Sequence, residues 1–127
     1  KVGLGTDIGA GTTFNVLHIL NEAYKVQQLQ GAKLSAFEAL YHATLGAAKA
    51  LDLDDKLGNF KVGKEADFVV LDLNATALQR LRQQRAKHLE DALFALITLA
   101  DDRNIHATYI YGQRAYYQPD QNSATGG

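Results

Sequence analysis

Residues 2–13 read VGLGTDIGAGTT, and the rest of the chain can be read outward from this run. The pattern predicts a short apolar strand over residues 2–7 that ends at the carboxylate of Asp7, then a glycine-rich turn and a long helix. Together they predict a βα unit. In parallel α/β folds, ligands bind at the carboxyl ends of the strands. Asp7 is therefore the first candidate for a catalytic residue.

The glycines of this turn allow a second interpretation, a phosphate-binding loop. Gly9 and Gly11 with Thr12 and Thr13 would offer backbone amides and hydroxyls at a helix N-terminus, which attracts anions. The fuller phosphate-binding patterns are missing, because the chain contains no G-x-x-x-x-G-K-[ST] run and its first two glycines lie inside the predicted strand. We therefore favour a plain turn with Thr12 or Thr13 as the helix N-cap.

The length, composition and net charge of the chain limit the classes of protein to which it can belong. A length of 127 residues suits one domain with a modest core, and 46% hydrophobic and 21% charged residues are ordinary for a soluble globular protein. A net charge of −1 without a basic block argues against nucleic acid, and no apolar run is long enough for a membrane span. The absence of cysteine rules out disulfides and suits a cytoplasmic protein. Because the chain starts at Lys1 and contains no methionine, we expect a piece of a longer chain.

Periodicity and caps predict the elements beyond the first unit. One helix is expected from Thr13 to Gln30, closed by Gly31, and a second from Ser35, where Glu38 completes a capping box, to about residue 51. The other predicted elements are a strand over residues 66–72, a helix starting at residues 74–76, a helix over residues 88–100, and a hairpin with strands 105–111 and 114–117.

Few residues have the spacing of a metal or catalytic site. His18 and Glu22 stand one helical turn apart and could share a metal, but such pairs are routine on solvated helix faces. Asp101-Asp102-Arg103 could serve acid–base chemistry, although adjacent carboxylates between a helix and a strand more often cap and pair locally. We interpret the remaining candidates as structural: His42, His88, His106, Asp54 and Asp55. Asp7 therefore remains the best candidate for a site residue. A catalytic zinc site takes about three protein ligands, however, and Asp7 supplies only one.

Two motifs resemble the amidohydrolase superfamily. Residues 2–7 resemble its eighth barrel strand, which ends in an aspartate at the metal. Residues 58–72, GNFKVGKEADFVVLD, resemble its G-x-x-x-x-G-K-x-A-D signature, where the chain leaves the barrel for a small β-sandwich. The resemblance implies an α/β fold in which residues 1–57 form the last βα unit of a TIM-like barrel with its following helices. Residues 58–118 would then carry β-sandwich strands and intervening helices, and residues 119–127 a disordered tail. Asp67 and Asp72 match structural positions of the signature.

Three further segments, residues 9–14, 21–27 and 101–105, are similar to the guanine deaminases of this superfamily. The resemblance implies a zinc-dependent hydrolase of purine catabolism: activated water attacks C2 of guanine, ammonia leaves and xanthine forms. Asp7 would be both a metal ligand and the catalytic residue that takes a proton from the water. The family's other metal ligands and its substrate-binding residues have no counterpart here. We therefore expect the chain alone to be inactive and to hold zinc weakly or not at all.

Guanine is the expected small-molecule partner, with no nucleic acid and no membrane. A barrel strand without its neighbours leaves backbone groups unpaired, so we also expect self-association, as a homodimer. Two alternatives stay open. The first is another deaminase or hydrolase of the same superfamily, acting on cytosine, adenosine-type or triazine substrates. The second is a stand-alone helical interaction domain that uses the small-sided helix of residues 39–50 as its partner face.

Overall fold

The computed structural model describes residues 1–119, which form a mixed α/β structure. Its elements, in chain order, are α1 (Val16–Leu29), α2 (Ala36–Ala43), α3 (Leu45–Ala50), β1 (Phe68–Leu71), α4 (Ala77–Gln83), α5 (Leu89–Leu99), a single 3₁₀ turn (Asp102–Asn104), β2 (Ile105–Ile110) and β3 (Gln113–Tyr117). The three strands make one antiparallel sheet in the order β1-β2-β3. The α/β class is confirmed, and the predicted disordered tail lies, apart from Pro119, outside the described residues.

The predicted strand over residues 2–7 is wrong in this structure. The segment is irregular, and its Leu4 amide donates a hydrogen bond to the His42 carbonyl at 3.1 Å. Its main chain passes against Ala47 of α3 at Gly3, and the Leu4 side chain packs on the core. A strand is defined by ladder pairing with a neighbour, and no strand of residues 1–119 pairs with this segment.

The N-cap of helix α1 lies three residues after Thr12 and two after Thr13, the two caps predicted for it. Its N-cap is Asn15, whose side-chain oxygen accepts a hydrogen bond from the Leu17 amide at 2.9 Å. Thr13 supports this cap from outside the helix, since its hydroxyl oxygen accepts from the Asn15 amide at 3.0 Å. Thr12 and Thr13 are therefore not the cap, because the turn after Asp7 is longer than the pattern indicated. The helix ends before Gly31, as predicted.

The second predicted helix is two helices, α2 and α3, separated at Thr44. The capping box at its start is confirmed: the Ser35 side chain accepts from the Glu38 amide, and the Glu38 carboxylate accepts from the Ser35 amide. Thr44 leaves the helical region with φ −126° and ψ −104°, and its hydroxyl donates to the Leu40 carbonyl at 2.7 Å. Such bonding of a threonine hydroxyl to the carbonyl four residues earlier competes with regular helix structure.

The core lies between α1, α2 and α5. Its buried residues are Leu17, Leu20, Ala36, Ala39, Leu96 and Ile97. Alanines on α2 allow the larger leucines of α1 and α5 to pack closely, as close-packed interiors require. Helix α5, which follows the predicted boundary between residues 57 and 58, thus packs on α1 and α2, which precede it. The division of the chain at that boundary stays a prediction.

The predicted strand 66–72 and the hairpin are both present, as β1 and as β2 with β3. Ile110 pairs with Gln113, so the turn is Tyr111-Gly112, one residue earlier than predicted. Both turn residues have positive φ, 51° and 71°. This is the left-handed geometry that two-residue hairpins favour, and a glycine adopts it at little cost.

Candidate functional site

Asp7 lies at the tip of the N-terminal segment, in a tight turn of its own. Its φ is +42°, the left-handed region that few residues other than glycine, asparagine and aspartate adopt. The Asp7 carbonyl accepts two hydrogen bonds, from the Ala10 amide at 2.8 Å and the Gly11 amide at 2.5 Å. The side chain is exposed. The carboxylate is therefore carried by a defined turn and is open to a ligand.

Asp7 does not share its turn with a set of metal ligands. Among residues 1–119, no three His, Cys, Asp or Glu side chains lie together in a way that could hold a metal ion. As an oxygen donor the Asp7 carboxylate fits zinc as one ligand, but one ligand does not make a zinc site. The described part of the chain therefore does not by itself supply the three or so protein ligands of a catalytic zinc centre.

The His18 and Glu22 side chains form an ordinary i, i+4 contact on the exposed surface of α1. The His18 Nε2 and Glu22 Oε1 atoms are 3.4 Å apart, and Lys25 Nζ reaches the same Glu22 oxygen at 2.8 Å. The hydrogen bond from Lys25 is the main reason why the pKa of Glu22 lies below its ordinary value. A carboxylate already paired with an ammonium group is a poor metal ligand, so the structural interpretation of this pair is favoured.

The other histidines are separated. The His42 Nδ1 atom is 3.5 Å from the Val2 carbonyl oxygen, His88 is the N-cap residue of α5, and the His106 ring meets Tyr117 edge-on with 5.1 Å between centroids. None of them belongs to a metal-binding cluster within the described residues. Their interpretation as structural residues is consistent with these contacts.

Asp101 caps the 3₁₀ turn and pairs with Arg103. Its Oδ1 accepts from the Arg103 amide at 2.9 Å, while its two oxygens receive the Arg103 guanidinium at 3.1 and 2.6 Å. This guanidinium, through its hydrogen bonds, holds the pKa of Asp101 below the ordinary value of 3.8. The local cap that the pattern favoured here is what the structure shows, rather than an acid–base pair.

Acid is expected to remove the stabilisation that this pair provides. Because the pKa of Asp101 is lower in the folded than in the unfolded chain, the pair stabilises above pH 3.8, and that stabilisation is lost as the pH falls through the folded pKa. The variant Asp101→Asn keeps an N-cap oxygen but loses the charge. Its deficit in unfolding free energy should shrink between about pH 6 and about pH 3 in urea titrations. An equal deficit at both pH values would contradict this.

The 58–72 signature is explained by packing and main-chain hydrogen bonds. Lys64 Nζ donates to the Leu57 carbonyl at 3.2 Å, and Glu65 accepts from the Tyr111 hydroxyl at 3.0 Å. Asp67 accepts from the Tyr111 amide, and Asp72 accepts from the amide of Asn74, both at 2.8 Å. The signature thus ties its loop to the hairpin turn, and the geometry around both aspartates is that of structural positions.

A cleft of about 660 Å³ opens between the end of α3 and residues 54–64. Lysines and aspartates are mixed on its wall: Lys49, Lys61, Lys64, Asp52, Asp54 and Asp55. Asp52 is also paired with Lys1. Asp7 is not among the lining residues, so this cleft is separate from the candidate catalytic carboxylate.

Gln79 and Asn104 form a buried polar pair that the sequence did not predict. Asn104 is 0% exposed and Gln79 2%. Their amide groups exchange two hydrogen bonds, at 2.9 and 3.1 Å, and Asn104 Nδ2 also donates to the Asp72 carbonyl at 2.6 Å. Gln79 Nε2 donates to the carbonyl of Leu99 as well. The pair joins α4, the end of α5 and the sheet. The one sequence signal for it was the Thr76-x-x-Gln79 capping pattern, which does not indicate burial.

Comparisons with known proteins agree with the two motifs. Residues 1–115 match the amidohydrolase family. Guanine deaminase of Escherichia coli is 63% identical over 116 residues, which cover 91% of this chain and 26% of that enzyme. Human guanine deaminase is 31% identical over 123 residues, covering 90% of this chain and 27% of the relative. The chain thus spans about a quarter of the length of these relatives.

Solved structures show the same likeness. The structure of E. coli guanine deaminase superposes with a TM-score of 0.91 at 61% identity, covering 94% of this chain and 28% of that one. An adenosine deaminase from Xanthomonas campestris with bound zinc gives a TM-score of 0.68 at 30% identity, covering 83% of this chain and 23% of that one. Most of the fold of this chain is therefore shared with both deaminases.

Proposed function

Because this chain belongs to the amidohydrolase family, we propose that it works as one part of a guanine deaminase, which hydrolyses guanine to xanthine and ammonia. The observation that carries the proposal is the 63% identity to the E. coli enzyme over 116 residues. The family resemblance of residues 2–7 and 58–72 is confirmed. The alternative that these motifs match by chance in a stand-alone helical domain is wrong.

In this proposal Asp7 is the catalytic residue and a metal ligand. When bound, zinc would supply a water of near-neutral pKa for attack on the purine ring. The Asp7 carboxylate would accept one proton of that water as the water oxygen adds to C2 of guanine, and would pass that proton on to the ring nitrogen beside C2. The second proton of the water would go to the amino group, so that the C2–N bond breaks and ammonia leaves. The X. campestris relative with bound zinc supports the choice of metal. The other ligands would come from protein that this chain does not contain.

The proposal also includes the surroundings of the site. Residues 2–7 would form the last strand of a TIM-like barrel when neighbouring strands are present. The large apolar side chains of Phe14, Leu29 and Phe60 are each at least 80% exposed. Such exposure supports their burial against further protein or against a second copy in a homodimer. No described helix is long and apolar enough to cross a membrane. A cytoplasmic location stays a prediction.

The function can be tested in a hybrid enzyme. In this hybrid, called the E. coli hybrid below, the sequence of this chain replaces the matching quarter of E. coli guanine deaminase. The same replacement in the X. campestris adenosine deaminase gives a second hybrid, because that enzyme also shares the fold. We expect the E. coli hybrid to form xanthine from guanine, and the second hybrid to turn over adenosine poorly.

This comparison needs two controls. The unaltered E. coli enzyme sets the reference rate, and zinc content with circular dichroism shows whether the hybrid is loaded and folded. Adenosine turnover by a folded, zinc-loaded second hybrid, together with no guanine turnover by the E. coli hybrid, would favour the second candidate, an adenosine-type deaminase. Folded, zinc-loaded hybrids that turn over neither substrate would contradict the proposal.

A further inference from the structure

The turn after Asp7 is closed by two hydrogen bonds to a single carbonyl. Both the Ala10 and the Gly11 amides donate to the Asp7 oxygen. Asp7 itself is held at a φ of +42°. Aspartate adopts that conformation more readily than most residues with a side chain, but it is still uncommon and is kept where the surrounding chain stabilises it. A neighbouring residue is therefore expected to hold Asp7 in this left-handed conformation.

Gly11 packs its main chain directly on the carbonyls of the preceding turn. A Cβ atom at Gly11 would overlap the Thr6 carbonyl oxygen and would lie 3.0 Å from the Asp7 oxygen. The obstacle is main chain rather than the end of a flexible side chain, so it cannot swing away. At Gly9, two residues earlier in the same turn, an added Cβ would meet nothing within 4 Å. Only one of the two glycines is thus required by close approach.

We propose that Gly11 is a positioning residue for the Asp7 carboxylate. Its missing side chain lets the main chain fold back onto Thr6 and Asp7, and this contact sets the Asp7 conformation from which the carboxylate projects. The inference rests on the proposed function, because it assigns Gly11 a task only if Asp7 acts on a substrate. It also gives the glycine-rich run a purpose other than phosphate binding.

The expected consequence of Gly11→Ala follows from the geometry. The methyl group would push the Thr6–Asp7 main chain outward and move the Asp7 carboxylate. A misplacement of about 1 Å can lower a rate about 100-fold, so kcat of the E. coli hybrid should fall by that order while KM for guanine stays unchanged. Gly9→Ala, the matched control, should leave kcat unchanged.

A double-mutant cycle separates positioning from a loss of fold. If Gly11 acts through Asp7, adding Gly11→Ala to an Asp7→Asn hybrid should cost no further activity, because the group being positioned is already disabled. A readout without turnover comes from this chain itself. Amide exchange at Ala10 and residue 11 should be faster in the Gly11→Ala chain than in the Gly9→Ala chain, because the hydrogen bonds to the Asp7 carbonyl are weakened.

Each result of these experiments either supports or overturns the role of Gly11. Faster exchange, a kcat loss confined to Gly11→Ala and non-additivity with Asp7→Asn would support the inference. A Gly11→Ala hybrid with unchanged kcat, an equal loss in Gly9→Ala, or full additivity with Asp7→Asn would overturn it. If the unsubstituted hybrid is itself inactive, the proposed function fails. An active hybrid indifferent to Gly11→Ala overturns this inference alone.

Discussion

Replacing Asp7 with asparagine is expected to lower kcat of the E. coli hybrid about 1,000-fold, since a positioned general base contributes roughly that much to a proton transfer. Asparagine matches aspartate in shape and tolerates the left-handed φ of +42°, so the turn should persist. What is lost is the negative charge that accepts the proton. The measurement is steady-state xanthine formation, with zinc content determined on the same samples.

Asp52 offers a matched control for this substitution. It is also an exposed aspartate in the left-handed region, with a φ of +56°, but it pairs with Lys1 and is not part of the Asp7 turn. Asp52→Asn should therefore leave kcat unchanged. An Asp7→Asn hybrid as active as the Asp52→Asn hybrid would show that Asp7 is not the catalytic carboxylate.

The largest effect on stability is expected from Asn104→Ala. The side chain of Asn104 is fully buried and bonds to Gln79, to the Asp72 carbonyl and to the Asp101 amide. Truncation would leave several of these groups buried with fewer partners, and each unsatisfied group costs about 1–3 kcal/mol. We expect the unfolding free energy of the chain to fall by about 3 kcal/mol, seen as a lower urea midpoint.

Asn74→Ala is the control for this loss. It removes the same side-chain amide from an exposed position in the segment before α4, so its effect should stay within about 0.5 kcal/mol. Similar urea midpoints for the Asn104 and Asn74 variants would mean that the buried pair does not hold α4, α5 and the sheet together.

Local signals predicted much of the fold correctly. The Ser35–Glu38 capping box, the strand at Phe68–Leu71 and the hairpin turn beside Gly112 depend on residues close in sequence, and the structure contains all three. The start of α1 at Asn15 and the break at Thr44 were missed because each depends on one side-chain hydrogen bond. The periodicity of apolar residues does not report such bonds.

Features that depend on distant residues were harder to predict. Residues 2–7 have the composition of a strand, yet a strand also needs a partner, and composition does not supply one. The Gln79–Asn104 pair joins residues 25 positions apart, so no local pattern could show that either amide is buried. Asp7 was predicted as a site residue from its place at the end of an apolar run, and its catalytic role stays a proposal. The requirement for Gly11 became visible only when the turn was seen in three dimensions.

In the proposed function this chain provides a working part of a guanine deaminase, with Asp7 at its reactive centre. The most direct test is the rate of xanthine formation from guanine by the E. coli hybrid, set beside the unaltered E. coli enzyme and the Asp7→Asn hybrid. We predict a hybrid rate within about tenfold of the E. coli enzyme, as expected when binding and positioning contacts are retained. We further predict that Asp7→Asn lowers this rate about 1,000-fold. A folded, zinc-loaded hybrid without guanine turnover, or one whose turnover survives the loss of Asp7, would contradict the account.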